Sequence, residues 1–327
     1  MKAIVLAGGY GSRVMPMTHY VPKPMLPVAG RPVIDYAVSR LVAAGITDIT
    51  FALGYKPEQI EAHVAGYADI RPTFVREDAP LGTAGSVRRA LSDGDEFVVL
   101  SADTVCNADL RRLVSSFLES GGTAAMEVTT VPDLAAYGAV EEHRGFVTGL
   151  REKDAALSHR AGVANAGAYV LSRRALELIP EGVPFDFARD LFPLLLSRGE
   201  TVAACELRGY WKDVGSIGDY YRANFDVLRM PFPRARHARR LTEHYAGDSL
   251  VMGTAVVSGR IRRCIVCEGA RVTSHASLED CIVLPGELVE RRASGEIIGG
   301  AFVLDPRTGN ANLLNLRNSS KFFRLFA

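Results

Sequence analysis

The chain has 327 residues, 48% of them hydrophobic and 23% charged, with a formal net charge of +1. It is long enough for one large domain and a smaller one, and its near-neutral balance argues against bulk binding to nucleic acid or to an acidic membrane surface. No apolar run approaches the ~20 residues that span a bilayer, and five scattered cysteines, an odd number, do not make a disulfide framework, so a cytoplasmic protein is expected.

"KAIVLA" at residues 2–7 predicts a buried strand and not a signal peptide, since it runs straight into glycines. Helical spacing follows over 33–45 and stops at Gly45. Strands are predicted over 46–53, 72–77 and 96–103, helices over 57–65, 83–91 and 108–119, and "GTAAMEV" returns to strand. This alternation predicts an α/β fold: a doubly wound, mostly parallel sheet with helices on both faces and ligands beyond the carboxyl ends of its strands. The rhythm breaks at 137–153, where "YGAVEE" and "FVTGLREK" flank Arg144-Gly145 and read as a hairpin. "ANAGAYVLS" and "TVAACEL" are further strands around a helix in "DFARDLFPLLLSRG". "YWKDVGS" reads as a strand end and turn, followed by a helix from 217 to 228. Residues 230–240, rich in Pro and Arg, read as a linker. Beyond it Val266, Val272, Leu278 and Leu284 recur every six residues, with Ala270 and Ala276 in the same period, a β-helix pattern for which a short antiparallel segment is the alternative.

The turn after the first strand, "LAGGYGSR", carries Gly8, Gly9 and Gly11 and then Arg13. It lacks the Lys-Ser/Thr of a Walker loop, and no acidic residue follows about 20 positions on as a dinucleotide fingerprint requires, which removes a dehydrogenase. Glycines let backbone N–H groups approach an anion closely. Arg13 adds a fork of donors, and Lys23, stiffened between Pro22 and Pro24, adds a second cation. Two cations around a glycine cradle suit a polyphosphate better than a monophosphate.

The stretch from Leu6 to Tyr36, "LAGGYGSRVMPMTHYVPKPMLPVAGRPVIDY", closely resembles the opening signature of the sugar-1-phosphate nucleotidyltransferases, also called NDP-sugar pyrophosphorylases. The resemblance extends through about residue 228, and the six-residue repeat resembles the left-handed β-helix behind many such domains. It implies a nucleotidyltransferase catalytic domain over 1–229, a linker over 230–245 and a β-helix-like domain with its tail over 246–327. The implied reaction joins a nucleoside triphosphate to a sugar 1-phosphate and releases pyrophosphate, with no nucleic acid or membrane involved. Leu6, Ala7, Gly8, Gly9 and Gly11 would cradle the triphosphate while Arg13 and Lys23 hold the departing pyrophosphate, a chemistry of positioning and charge neutralisation. Mg²⁺ is the implied cofactor, with Asp103 in "VVLSADT" and Asp213 in "YWKDVGS" as its ligands; a helix cap and a turn residue are the local alternatives. Ala102 stands before Asp103 where the family usually has glycine.

On the sugar side the resemblance implies that Glu152 meets hydroxyls and Lys153 the phosphate, with Asp154 where a proline often follows. Tyr137, Gly138, Asn165 and Gly167 fall in segments resembling sugar contacts. On the base side Glu77, Gly82 and Thr83 resemble the segment that meets the base, and a helix starting near Thr83 is expected to offer free N–H groups. "EDAPLGTAG" is most like guanylyl- and some uridylyltransferases, which favours GTP and a mannose-like phosphate, as in mannose-1-phosphate guanylyltransferases. The alternatives are UTP or dTTP with a glucose-like phosphate, or a regulatory relative that binds without turnover. The presence of Arg13, Lys23, Asp103 and Asp213 together argues for catalysis. Cys264 and Cys267 form a C-x-x-C, but Cys264 shares the six-residue frame of Ala270 and Ala276, so core packing is expected ahead of a redox or zinc role with Cys281 or His275. The tail "KFFRLFA" reads as packing on its own chain or on a sister subunit, and a homo-oligomer is expected.

Overall fold

A computed structural model describes residues 1–237, 243–299, 302–309 and 311–313; the tail segment "KFFRLFA" lies outside them. The apolar runs of the first two-thirds form a nine-stranded sheet. Its strands are β1 (Lys2–Ala7), β2 (Asp48–Leu53), β3 (Arg71–Arg76), β4 (Glu96–Ser101), β5 (Ala124–Val131), β6 (Gly138–His143), β7 (Phe146–Glu152), β8 (Gly162–Ser172) and β9 (Val202–Glu206). The longer helices are α1 (Ile34–Ala43), α2 (Pro57–Val64), α3 (Gly82–Arg89), α4 (Arg111–Ser120) and α5 (Ile217–Val227). Across the sheet the order is β3-β2-β1-β4-β8-β5-β9-β7-β6.

Strands β3 to β4 are parallel, joined by helical crossovers. β8 runs antiparallel to both β4 and β5, and β7 antiparallel to β9 and β6, so the sheet is mixed in its second half. A parallel return needs a crossover, usually a helix. Between β5 and β8 the chain carries the predicted hairpin instead, and β8 comes straight back. The helix expected in "DFARDLFPLLL" opens as a π-helical turn, Phe187–Leu191, before its α-helical part, Phe192–Ser197. Pro193 has no N–H to donate, which breaks the helical ladder at that joint. Along β1, Ala3, Val5 and Ala7 face one apolar layer and Ile4 the other, the period of two expected of a strand buried on both sides.

Beyond the linker the chain winds as stacked coils with three parallel faces. The interior columns are Val251–Val266–Val283–Ile298, Val257–Val272–Val289 and Ile261–Leu278–Ala293. Partners on one face are 15 or 17 residues apart, as Ile265, Ile282 and Ile297 show (282 − 265 = 17; 297 − 282 = 15). A strict six-residue step would need 18, so the reading of Val266, Val272, Leu278 and Leu284 as one repeating set needs correction. The first three point into the coil from its three faces. Leu284 instead joins the core shared with the first domain. Cys264 and Cys281 pack inside the coil with Ala270 and Ala276, and all five cysteines are buried free thiols. No helix among the described residues is long and apolar enough to cross a membrane.

The coils lean on the α/β domain. Leu250, Met252, Ile265, Ile282, Ile297 and Phe302 belong to the same buried cluster as Val28, Ile34, Ile217 and Tyr220. Met252 packs so closely on Gly30 that a Cβ there would meet its Cε at 2.3 Å, and the Tyr221 hydroxyl donates to the Asp280 carbonyl at 2.6 Å. Linker residue Arg236 pairs with Asp69 at 2.6 Å, and its carbonyl accepts from Ala68. A chain ending at Met230 loses this cover and exposes a contiguous apolar flank. Size-exclusion chromatography and thermal melting should find it aggregated or melting several degrees below the full chain; a monodisperse truncation with an unchanged Tm would refute the shared core.

Candidate active site

The carboxyl ends of β1, β3 and β4 open on the same side of the sheet. At the end of β1 the Gly8 carbonyl accepts from Tyr55 N–H at 3.2 Å, and a Cβ on Gly54 would lie 2.6 Å from that oxygen, so only glycine lets the two loops touch backbone to backbone. Gly9 borders open space. Gly11 has a left-handed φ of 63°, and a Cβ on it would lie 2.9 Å from Thr18 and 3.0 Å from the Lys23 stem. It turns the chain against Lys23 and lines neither cavity described below. Lys23 opens a tight turn after Pro22, whose carbonyl accepts from Met25 N–H at 2.8 Å.

The Lys23 side chain, only 10% exposed, reaches two carboxylates. Its Nζ donates to Asp103 Oδ2 at 2.6 Å and to Asp213 Oδ1 at 3.4 Å. The carboxylates are brought together by backbone pairing. Trp211–Asp213 forms an antiparallel ribbon with Thr104–Cys106, setting Asp213 opposite Thr104, and Val214 N–H donates to the Asp103 carbonyl at 3.0 Å. The Ser101 hydroxyl donates to Asp103 Oδ1 and leaves Oδ2 to the lysine. Ala102, the departure from the family's glycine, is fully buried, and its N–H donates to the Leu6 carbonyl at 2.9 Å.

Burial pushes the Asp213 carboxyl up to about 6, with the Asp103 charge adding to the effect and Lys23 and Arg13 opposing it. Burial would raise Asp103 too, but the Lys23 ammonium and the hydrogen bonds from Lys23 and Ser101 hold it below the usual carboxylate value. Burial disfavours the Lys23 charge, yet the two carboxylates outweigh it and keep that pKa raised. Two carboxylates sharing one cation leave a negative excess in a poorly solvated place.

Two cavities meet at this pair. The first, about 350 Å³, is lined by Leu6, Ala7, Gly8, Gly9, Lys23, Glu77, Gly82, Thr83 and Asp103 among the predicted residues. The second, about 240 Å³, is lined by Leu6, Arg13, Thr83, Asp103, Tyr137, Gly138, Glu152, Lys153, Asn165, Gly167 and Asp213. Arg13 therefore lines the second cavity, with Asp213 and Tyr137, and not the first. Glu152 reaches over Gly138, where a Cβ would be 2.7 Å from its Oε2 and would shift that carboxylate. Lys153, at a left-handed φ of 48°, pairs with Glu152 at 3.2 Å, and Asp154 caps the next turn by accepting from Ala156 N–H at 2.9 Å. A register shift in β8 between Asn165 and Tyr169 re-aims this segment: Asn165 donates to the Tyr169 hydroxyl at 2.8 Å and accepts from Gly167 N–H at 2.9 Å.

Several lining residues escaped sequence reasoning. Ser101 precedes Asp103 by two, and Trp211 precedes Asp213 by two, the strand period that puts side chains on one face. Trp211 donates to the Ala166 carbonyl at 2.9 Å, and its ring lies 5.5 Å from that of Tyr137. Tyr10 and Tyr55, 5.3 Å apart, flank the first cavity. Asp186 accepts from the Thr83 hydroxyl at 2.7 Å, and Phe187 N–H donates to that hydroxyl at 3.0 Å.

The expected free N–H groups of the helix near Thr83 need correction. Ala84 and Gly85 both donate to the Phe185 carbonyl, at 2.9 and 3.0 Å. The segment after Pro184 thus caps α3 and joins one cavity's wall to the other's. Gly82, at φ 71°, makes this approach possible, since a Cβ there would lie 2.6 Å from the Phe185 oxygen. Gly82→Ala combines a left-handed alanine with that clash and should cost about 2 kcal/mol or more in urea unfolding; an unchanged midpoint would show that the contact yields freely.

The chain matches the family model described as "Nucleotidyl transferase" over residues 2–230 and that described as "GlmU-like, C-terminal hexapeptide" over 233–298. It is 31% identical over 303 residues to the mannose-1-phosphate guanylyltransferase of Mycobacterium tuberculosis, covering 89% of this chain and 81% of the relative. It is 30% identical over 312 residues to the mannose-1-phosphate guanylyltransferase catalytic subunit beta of Danio rerio, covering 86% of each. Among solved structures it superposes on a putative glucose-1-phosphate thymidylyltransferase from Bacillus anthracis with a TM-score of 0.65 at 26% identity, covering 72% of this chain and 98% of that one. HddC from Yersinia pseudotuberculosis gives a TM-score of 0.60 at 28% identity, covering 69% and 99%. With the first of these models matched over most of its length, the chain belongs to the nucleotidyl transferase family.

Proposed function

We propose that this enzyme transfers a nucleotidyl group from a nucleoside triphosphate, GTP by preference, to a sugar 1-phosphate, mannose-like by preference, and releases pyrophosphate. The observation that carries the reading is the position of Asp103 on the wall common to the two cavities, with Lys23 and Asp213 in contact. In that reading the triphosphate lies against the glycine loop in the first cavity. The sugar lies among Tyr137, Gly138, Glu152 and Asn165 in the second, with Lys153 facing its phosphate. A sugar-phosphate oxygen forms a bond to the α-phosphorus while the bond to pyrophosphate breaks, and no covalent enzyme intermediate is needed. Lys23 and Arg13 neutralise charge on either side of the reacting phosphorus.

The residues fit a divalent cation. Two carboxylates that share a single lysine, one of them pushed up to about 6 by burial and by the charge of the other, are a donor set that Mg²⁺ uses together with substrate phosphates. Asp103 and Asp213 would hold it, and its chemistry would be charge neutralisation on the phosphates. Asp103→Asn and Asp213→Asn should each lower turnover by about a thousandfold with little change in far-UV circular dichroism. Near-normal pyrophosphate release from either variant would remove that residue from the site.

The preference for GTP rests on Glu77. Its Oε1 is buried at the first cavity and has no hydrogen-bond partner among the described residues. Such an acceptor calls for a donor, and guanine offers two, N1–H and the exocyclic amine. The guanylyltransferase relatives support the same base. The matched hexapeptide region, with Val256 and Leu288 exposed on one face of its coils, supports a homo-oligomer. In a panel of five triphosphates against several sugar 1-phosphates, GTP should give the highest kcat/KM, by about tenfold or more for one hydrogen bond. Glu77→Gln should erode that preference more than it lowers Tm. A higher kcat/KM for UTP or dTTP would move the chain to the uridylyl or thymidylyl class without touching the reaction type.

A further inference from the structure

The Lys23 ammonium occupies the place between the carboxylates that a cation would take. It is 2.6 Å from Asp103 Oδ2 and 3.4 Å from Asp213 Oδ1, in a side chain only 10% exposed. Nothing suggests that this arrangement is slack. Ser101 fixes the other Asp103 oxygen, the ribbon at 211–213 fixes Asp213 beside it, and Pro22 and Pro24 fix the backbone that carries the lysine.

We infer that Lys23 locks the metal site of the free enzyme: a divalent cation gains the Asp103–Asp213 pair only when the phosphates of a bound nucleotide draw the ammonium away. The inference rests on the reading above that triphosphate and cation meet at this pair, and it adds an order of events to it. The reasoning is one of charge. With Lys23 in place the pair carries a net charge of about −1, and adding a divalent cation beside the ammonium would turn that into about +1, with two like charges within a few ångströms. The ammonium holds one oxygen of each carboxylate, and its charge repels a second cation placed beside it. A triphosphate changes the balance by offering the ammonium new anionic oxygens. Lys23 already lines the cavity at the glycine loop. Its four-carbon stem can therefore exchange carboxylate for phosphate by side-chain rotation alone, with its backbone unmoved. A metal that cannot settle without nucleotide also cannot hold the carboxylates in a dead-end state.

The test uses the full chain and Mn²⁺ alone, with free Mn²⁺ followed by electron paramagnetic resonance and no substrate present. The unaltered protein should bind Mn²⁺ weakly at this pair. Lys23→Met, which keeps the straight stem and removes the charge, should bind it at least about tenfold more tightly. That gain should vanish when Asp213→Asn is added, which separates the pair from surface carboxylates. Lys23→Arg, which keeps the charge, should bind Mn²⁺ as weakly as the unaltered protein. Equal Mn²⁺ affinity for the unaltered protein and Lys23→Met overturns the lock. Should Lys23→Met fail to fold, the unaltered protein decides: tight binding of Mn²⁺ alone at a site lost in Asp213→Asn overturns the lock, and its absence supports it. These arms involve no nucleotide, so the lock and the proposed reaction can fail separately. A locked pair in a chain that transfers no nucleotidyl group removes the reaction, and turnover without any lysine effect removes the lock.

Discussion

A largely buried ammonium held between two half-buried carboxylates is an expensive arrangement. Removing charges from water costs several kcal/mol per ion, and mutual attraction offsets this only when the geometry is good. Here the three groups come from distant parts of the chain: Lys23 and Asp103 are 80 positions apart, and Lys23 and Asp213 are 190 apart. The pairing exists only once β1, β4 and the 104–106/211–213 ribbon are all in place. An apolar trio would pack as well and cost less, so chemistry is the better reason for such a cluster at the open end of the sheet.

Much of the surrounding structure serves to fix the backbone next to that lysine. The segment that follows it, residues 27–32, folds as a small ribbon pinned from several sides. The Tyr220 hydroxyl donates to the Pro27 carbonyl at 2.7 Å, the Tyr36 hydroxyl donates to Val28 at 2.9 Å, and Ala29 N–H donates to Asn224 at 2.8 Å. α5 thus grips the ribbon from one side, and Met252 of the first coil presses on Gly30 from another. No described residue of the coils lines either cavity. They contribute a wall of buried aliphatic side chains behind the loop that carries Lys23, so a domain remote from the chemistry bears on its geometry through packing.

The amount of this that was legible in the sequence follows from the range of each interaction. β1, α1, β2 and the hairpin at 138–152 announced themselves because their patterns are local: short apolar runs, helical spacing closed by Gly45, a turn at Arg144-Gly145. The glycine loop and Lys23 were legible for the same reason. The direction of β8 was not, since parallel and antiparallel strands carry the same residues and only the missing crossover helix betrays the difference. The six-residue period was a real signal with a wrong extrapolation, because the tight turns of 15- and 17-residue coils move Leu284 out of the interior column that Val283 fills. Asp186 and Ser101 were invisible as site residues: a lone Asp before a helix reads as a cap, which Asp186 also is, and its bond to Thr83 spans 103 positions.

That long-range bond shows why the site cannot be divided into a nucleotide half and a sugar half. Thr83 faces both cavities, and its hydroxyl is used twice, as donor to Asp186 and as acceptor from Phe187 N–H. The neighbouring Phe185 carbonyl takes two N–H groups of α3, and Phe185 N–H returns a bond to Leu81 at 2.8 Å. Pulling the loop at 81–85 away from Phe185 would leave the N–H groups of the buried Ala84 and Gly85 unpaired, at about 1–3 kcal/mol each. The loop that lines the first cavity and the turn that lines the second therefore move together or not at all. In the proposed reaction the two substrates must approach along one line to within bonding distance, where a small misplacement costs rate steeply. A shared, fully bonded wall sets that distance once for both.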